Sequence, residues 1–223
     1  MQILLFDIDG TLLNTGGAGQ RSMELALQTM FAVTRETKGV PAAGRTDRAI
    51  VSDLFAYHDI EETPEVWEMF QETYFGHLIE VLPTLPGQTL SGVDRLLATL
   101  NERDDVALGL LTGNFQRGAQ LKLGHFQLDH YFGFGGFGDH HHNRDDVARA
   151  AMQAVIENQQ ANVDPANVWV IGDTPFDVRC GRAIGARTVA VATGSFETDE
   201  LSESQPDHLF NDFSDTDSFL DLL

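Results

Sequence analysis

The 223-residue sequence is poor in the residues that build cross-links and in those that attract polyanions. It holds one cysteine, Cys180, which excludes an intrachain disulfide and any metal site built from several thiolates. Between Arg179 and Gly181 that cysteine reads as a small packed residue rather than a nucleophile. Lys and Arg together number 14 against 34 Asp and Glu, which leaves a formal net charge of -20. Nucleic-acid binding rests on basic side chains neutralising phosphates, so this balance argues against that partner class. A small anionic substrate is likewise repelled unless a few placed cations or a metal ion hold it. No apolar run approaches the roughly 20 residues needed to cross a bilayer, and the short N-terminal apolar segment lacks the basic flank of a signal peptide. The expected setting is therefore the cytoplasm, with no membrane partner. There is no internal repeat and no low-complexity tract, and the acids that gather from Glu197 to Asp221 read as a solvated face.

With 42% hydrophobic residues, the chain can bury a core large enough for one sizeable domain or a domain with an insertion. It opens with an apolar run, Ile3, Leu4, Leu5, Phe6 and Ile8, that reads as a short buried strand ended by Gly10 and Thr11. Side chains alternate across a strand, so Asp7 and Asp9 point the same way at its carboxyl end. Two like charges placed so need a cation or a shared proton. A glycine-rich stretch at 14–20 follows, then three helix-like segments, roughly Gln20 to Thr34, Thr46 to Tyr57 and Pro64 to Val81. LPTLPG at 82–87 closes this block, which reads as an inserted helical domain with two hinge strands. Its aromatic residues Phe55, Tyr57, Trp67, Phe70, Tyr74 and Phe75 recur at helical spacing and are expected in its core.

From Gly87 onward, helices expected at 88–102, 115–124, 145–158 and near 176–184 alternate with apolar strands at 106–112, in the YFGFGGF region, at 168–173 and at 188–193. A weak strand near His208 to Asn211 precedes a short helix. Such alternation implies an α/β fold with a parallel, Rossmann-like sheet covered on both faces, and ligands bind beyond the carboxyl ends of its strands. Three strand ends carry the polar punctuation: Asp7 to Thr11, Leu111 to Asn114, and Ile171 to Asp177. On one sheet edge, Asp7, Asp9 and Asp173 form a carboxylate cluster suited to Mg²⁺ rather than zinc. Thr112 and Asn114, with the amides that follow them, can hold phosphate oxygens. His140, His141 and His142 are adjacent on a loop and read as exposed rather than as a zinc site.

DIDGT at 7–11, LTGN at 111–114 and GDTPFD at 172–177, in this order, resemble the haloacid dehalogenase superfamily, specifically its phosphatases. The resemblance spans nearly the whole chain. It implies an α/β catalytic core at 1–15 and 84–223, with the block at 16–83 as the all-α cap these enzymes insert. It implies a two-step transfer in which Asp7 attacks phosphorus and Asp9 acts as general acid and then base. An acid at position 9 favours phosphate over carbon–halogen substrates. The resemblance further implies Mg²⁺ held by the side chains of Asp7 and Asp173 and the backbone carbonyl of Asp9, with Asp177 as an outer-shell acid or direct ligand. Asp177 also reads as a helix-start acid favoured by the dipole. Thr11, Gly113 and Asn114, with catalytic Thr112, are the implied phosphate contacts.

The family also places one cation near the nucleophile, usually a Lys before a Pro. Here Arg144, at a helix start after GDHHHN, is the choice, with Lys122 the runner-up. GRTD at 44–47 resembles the segment that faces substrate, so Arg45 is a candidate contact, against a plain N-cap by Thr46 or Asp47. The expected activity is Mg²⁺-dependent hydrolysis of a small phosphorylated metabolite such as phosphoglycolate or a sugar phosphate. A β-phosphoglucomutase-type transferase is the alternative within the same chemistry. A phosphonate hydrolase needs a cap lysine, for which only Lys38 is available. A phosphoacceptor signalling module is the alternative of another class, which length and the inserted block argue against. Substrate identity and oligomeric state stay open at this stage.

Overall fold

The structure, a computed structural model, describes residues 1–33 and 39–223. In chain order the elements are β1 (Gln2–Phe6), β2 (Leu13–Asn14), α1 (Ala18–Phe31), α2 (Asp47–Tyr57), α3 (Pro64–Val81), β3 (Gln88–Thr89), α4 (Val93–Asn101), β4 (Val106–Leu111) and α5 (Gln116–His125). They continue with β5 (Gly135–Gly136), α6 (Arg144–Gln159), β6 (Val168–Gly172), α7 (Pro175–Ala183), β7 (Arg187–Val191), α8 (Thr198–Glu203), β8 (His208–Phe210) and α9 (Thr216–Leu220).

Six strands form one parallel sheet in the order β5-β4-β1-β6-β7-β8. The apolar run at the N-terminus is continuous because β1 is central and covered on both sides. Leu4 and Phe6 pack into one cluster with α4 and α9, whereas Ile3 and Leu5 pack into another with α6. In β6, Trp169 and Ile171 join the first cluster and Val168 and Val170 the second. This period-2 division sends alternate side chains to two cores and fixes the register.

Helices α1 to α3 share a separate cluster built from Leu27, Leu54, Phe55, Phe70, Tyr74 and Leu78, into which Phe115 inserts from the loop after β4. The chain enters this block through β2 and leaves it through β3, and the two pair antiparallel, Leu13 with Thr89 and Asn14 with Gln88. Thr63 caps α3 and Pro64 occupies its first turn, as the sequence pattern requires.

Several expectations are corrected. The helix read at 88–102 begins at Val93, because Gln88 and Thr89 pair with β2 and Gly92 turns the chain at φ +81°. A Cβ on Gly92 would lie 2.0 Å from the Phe213 carbonyl oxygen, so only glycine fits. Helix α1 starts at Ala18 and ends at Phe31, while Thr34 and Lys38 lie outside the described residues. Tyr57 is exposed rather than in the aromatic core, and Trp67 is only partly buried against it. Helix α8 forms within the acidic C-terminal stretch, where Leu201 supplies the buried anchor that the charge count obscured.

Candidate active site

The carboxyl ends of β1, β4 and β6 meet at one edge because their strands are adjacent and parallel. Gly10, at φ +82°, turns the chain away after Asp9 and lets Asp173 approach, since a Cβ at Gly10 would lie 2.4 Å from Asp173 Oδ2. Asp7, Asp173 and Asp177 are all buried and place carboxylate oxygens within 4.8 Å of one another. The Thr11 hydroxyl donates to Asp173 Oδ1 at 3.1 Å, so Thr11 is buried and holds an acid in place. Both oxygens of Asp177 are engaged. Oδ2 accepts from the Thr174 backbone N–H at 3.0 Å and hydroxyl at 2.7 Å, which caps α7, and Oδ1 faces Arg144.

Arg144 starts α6 and is buried, with its Nη2 3.0 Å from Asp7 Oδ2 and 2.5 Å from Asp177 Oδ1. Lys122, from the last turn of α5, reaches the other acid. Its Nζ donates to Asp9 Oδ2 and to Asn114 Oδ1, both at 2.6 Å. Asn114 Nδ2 in turn donates to Asp9 Oδ2 at 2.9 Å and to Thr112 Oγ1 at 2.8 Å. The two cations proposed as alternatives for one role thus occupy separate places, one on Asp7 and one on Asp9.

A cavity of about 470 Å³ opens over these residues between the sheet edge and the helical block. From the block, Asp47 accepts from the Phe115 N–H through Oδ2 at 2.9 Å, while its own N–H donates to the Gly113 carbonyl at 2.7 Å. Arg45 lines the cavity, but its guanidinium is held by Asp53 at 2.7 Å and donates to the Pro41 carbonyl at 3.0 Å. Thr46 caps α2, its hydroxyl accepting from the Ala49 N–H at 3.2 Å. Among the described residues, His140 to His142 join no cluster of metal-ligating groups. Thr193 and Gly194, beyond β7, complete the edge: the Thr193 hydroxyl donates to the Gly10 carbonyl at 2.6 Å. Sequence reading had passed over them, although TVAVAT ends on the same sheet edge as the other motifs.

A family model described as haloacid dehalogenase-like hydrolase matches residues 4–191. The chain belongs to this hydrolase family. The protein of Clostridium perfringens (strain 13 / Type A) named "Putative pyrophosphatase PpaX" is 24% identical over 213 residues, covering 93% of this chain and 91% of that protein. Among solved structures, one described as a predicted phosphoglycolate phosphatase from Haemophilus somnus 129PT superposes with a TM-score of 0.71 at 19% identity, over 99% of this chain and 98% of that one. CbbY from Rhodobacter sphaeroides in complex with phosphate superposes with a TM-score of 0.69 at 17% identity, over 96% of this chain and 95% of that one.

The electrostatics of this hydrolase's site follow from burial. Loss of solvent lifts the Asp7 carboxyl to about 6 against the pull of Arg144, and the Asp177 charge adds to the rise. Burial, then the charges of Asp177 and Asp7, push Asp173 to about 8. Burial likewise lifts Asp47 to about 6 despite Lys122 and the Phe115 N–H. Burial opposes the charge on Lys122, but Asp9 and Asp47 outweigh it and raise its affinity for the proton. Cys180 is buried and its thiol is pushed up to about 12, mainly by desolvation, which makes it a packing residue. Three buried carboxylates with one guanidinium among them carry more negative charge than the protein compensates. This all-oxygen donor set fits a hard divalent cation.

Proposed function

We propose that the protein is a cytoplasmic, Mg²⁺-dependent phosphomonoester hydrolase acting on a small phosphorylated metabolite through an aspartyl-phosphate intermediate. In this reading residues 16–83 form a cap over a catalytic core made of 1–15 and 84–223. The observation that carries it is the convergence of two acids of one strand end on two different partners. Asp7 faces Arg144 and the acid cluster, whereas Asp9 stands beside Asn114 with one oxygen toward no described donor.

In the first step an Asp7 carboxylate oxygen attacks phosphorus, the ester P–O bond breaks, and protonated Asp9 gives its proton to the departing oxygen. Alcohol and the Asp7 acyl phosphate result. In the second step Asp9 takes a proton from water, the water oxygen attacks phosphorus, and the acyl-phosphate P–O bond breaks. Phosphate leaves, Asp7 is again a carboxylate, and Asp9 is again protonated. Thr112 and Gly113 hold phosphate oxygens at the β4 end, where the Asn114 amide is spent on Asp9 and Thr112, and Arg144 offsets charge beside Asp7. Asp7, Asp173 and the backbone carbonyl of Asp9 would hold Mg²⁺, with Asp177 behind them. When bound, the ion neutralises phosphate charge against the approaching carboxylate, a repulsion of about 4 kcal/mol per unit charge pair at 4 Å and an effective dielectric of 20. The names carried by the sequence relatives, a pyrophosphatase and a probable phosphatase, support phosphate release from a small phosphorylated compound.

The test is phosphate release from a panel of phosphorylated metabolites with Mg²⁺ and with chelator, alongside Asp7→Asn. Turnover that requires Mg²⁺ and vanishes in Asp7→Asn is expected, with net retention at a chirally labelled phosphorus. Release by Asp7→Asn at the native rate, or inversion at phosphorus, would remove Asp7 from the nucleophile role.

A further inference from the structure

Lys122 is one of two lysines in the chain, and its side chain is 5% exposed. Carrying an ammonium to such a place costs several kcal/mol, and an apolar side chain of similar volume is often as stable there or more so. Fold stability alone therefore gives no reason for a lysine at this turn of α5. Its contacts do.

Nζ, Asn114 and Asp9 form a closed triangle. The ammonium donates to Asp9 Oδ2 and Asn114 Oδ1, and the Asn114 amide nitrogen donates back to the same Asp9 oxygen. The amide cannot be reversed, because its NH₂ would then face the ammonium. Both donors hold Oδ2, so the carboxylate of Asp9 is fixed in rotation, and no described residue donates to Oδ1.

All three helices of the inserted block close over this triangle. From α1, a Cβ on Gly19 would sit 3.4 Å from Lys122 Nζ and 3.9 Å from the Tyr74 hydroxyl of α3. That hydroxyl is buried without a hydrogen-bond partner. From α2, Asp47 places a buried carboxylate in the field of the ammonium, beside the more exposed one of Asp9. The ammonium is thus kept from water, while the Asp9 side chain, 41% exposed, opens onto the cavity where a substrate would sit.

We propose that Lys122 is the positioning residue of Asp9, holding Oδ2 under the cover of the helical block so that Oδ1 meets the leaving oxygen of the ester. The proposal rests on Asp9 being the general acid. The proton still comes from Asp9; Lys122 transfers none. It separates the two buried cations by task, Arg144 serving the attacking acid and Lys122 the protonating one.

The experiment is kcat/KM over a series of substituted phenyl phosphates whose leaving phenols run from strongly to weakly acidic. General-acid assistance matters most for the weakly acidic phenols, where its loss costs roughly 10²–10⁴-fold, and least for nitrophenol. Asp9→Asn sets the pattern of a lost acid. Lys122→Met is expected to steepen the dependence on leaving-group acidity toward that of Asp9→Asn, with unsubstituted phenyl phosphate losing roughly 10²-fold or more and nitrophenyl phosphate much less. A uniform loss across the series in Lys122→Met, with steepening in Asp9→Asn, would overturn the inference and leave the general acid standing. A flat response in Asp9→Asn itself would overturn the general acid.

Lys122→Arg keeps the charge but cannot bring one nitrogen to both oxygens, so an intermediate slope is expected. If Lys122→Met does not fold, Lys122→Arg carries the test. A chain that folds with neither would make the lysine a structural seam and sink the positioning role.

Discussion

Asp7→Asn should make the protein more stable while abolishing turnover, and the size of the gain follows from burial. The Asp7 carboxyl is lifted from 3.8 to about 6, chiefly by desolvation. The folded chain therefore keeps this proton to higher pH than the unfolded chain does. Stability is lost as pH rises from 3.8 through about 6, is fully lost above that, and is unaffected where both states are protonated. A shift of about two pH units corresponds to about 3 kcal/mol. Asparagine mimics the protonated acid, so at pH 7.5 and without divalent cation the variant should gain on the order of 3 kcal/mol. For a chain of this length that is a rise in Tm of roughly 6–12 °C. Thermal unfolding followed by circular dichroism in chelator at pH 7.5 and near pH 4 reads both numbers. The gain should shrink toward zero at the acid end, because the native carboxyl is then neutral as well. An Asp7→Asn protein that is destabilised at pH 7.5, or whose gain does not change with pH, would refute the claim that Asp7 is held at an electrostatic cost.

Arg144→Met removes the guanidinium from two buried acids, Asp7 at 3.0 Å and Asp177 at 2.5 Å, and should cost about 3–5 kcal/mol in urea unfolding at neutral pH; an unchanged midpoint would show the pair to be solvated. Mg²⁺ should raise the Tm of the native chain, by the equivalent of about 2.7 kcal/mol at 100 times its Kd. Asp173→Asn should raise the Tm in chelator, since Asp173 is lifted to about 8, and should abolish the Mg²⁺ increment; a full increment in the variant would place the ion elsewhere. Because the chain carries a formal charge of -20, kcat/KM for an anionic phosphomonoester should rise as salt shortens the Debye length from about 30 to about 8 Å. A fall with salt would mean that local cations dominate capture.

Much of the architecture was legible because it depends on local pattern. Short apolar runs that end in DIDGT, LTGN and GDTPFD and alternate with helix-like segments read as parallel strands of a covered sheet, and such a sheet brings their carboxyl ends to one edge. The limits of α3, with Thr63 and Pro64 at its start, were written in cap chemistry. The start of α4 was not, because Gln88 and Thr89 are drawn into pairing with Asn14 and Leu13, far upstream in the chain, and helical periodicity carries no record of that. The same limit applies to the site. Asp7, Asp9 and Asp173 stand in short motifs, but the division of labour between Arg144 and Lys122 depends on which acid each side chain reaches across the fold. On α5, Lys122 looks like any solvated basic residue near a helix C-terminus. Only the packing of Gly19, Asp47 and Tyr74 over it reveals a buried ammonium.

That packing bears on why an acidic protein can handle an acidic substrate at all. Asp7, Asp9, Asp47, Asp173 and Asp177 face two buried cations, so the site with every acid ionised is more negative than a phosphate dianion can tolerate. Burial answers part of this by raising the affinity of Asp7, Asp47 and Asp173 for protons, and a divalent ion in the all-oxygen cluster answers more. Asp47 then has a place in the balance although it touches no reacting atom. It belongs to the helical block, yet its carboxylate caps the Phe115 N–H and its charge acts on Lys122. Removing that carboxylate or the cover over Lys122 would expose the ammonium to water and weaken its hold on Asp9, so the helical block contributes to the order of an acid it does not carry.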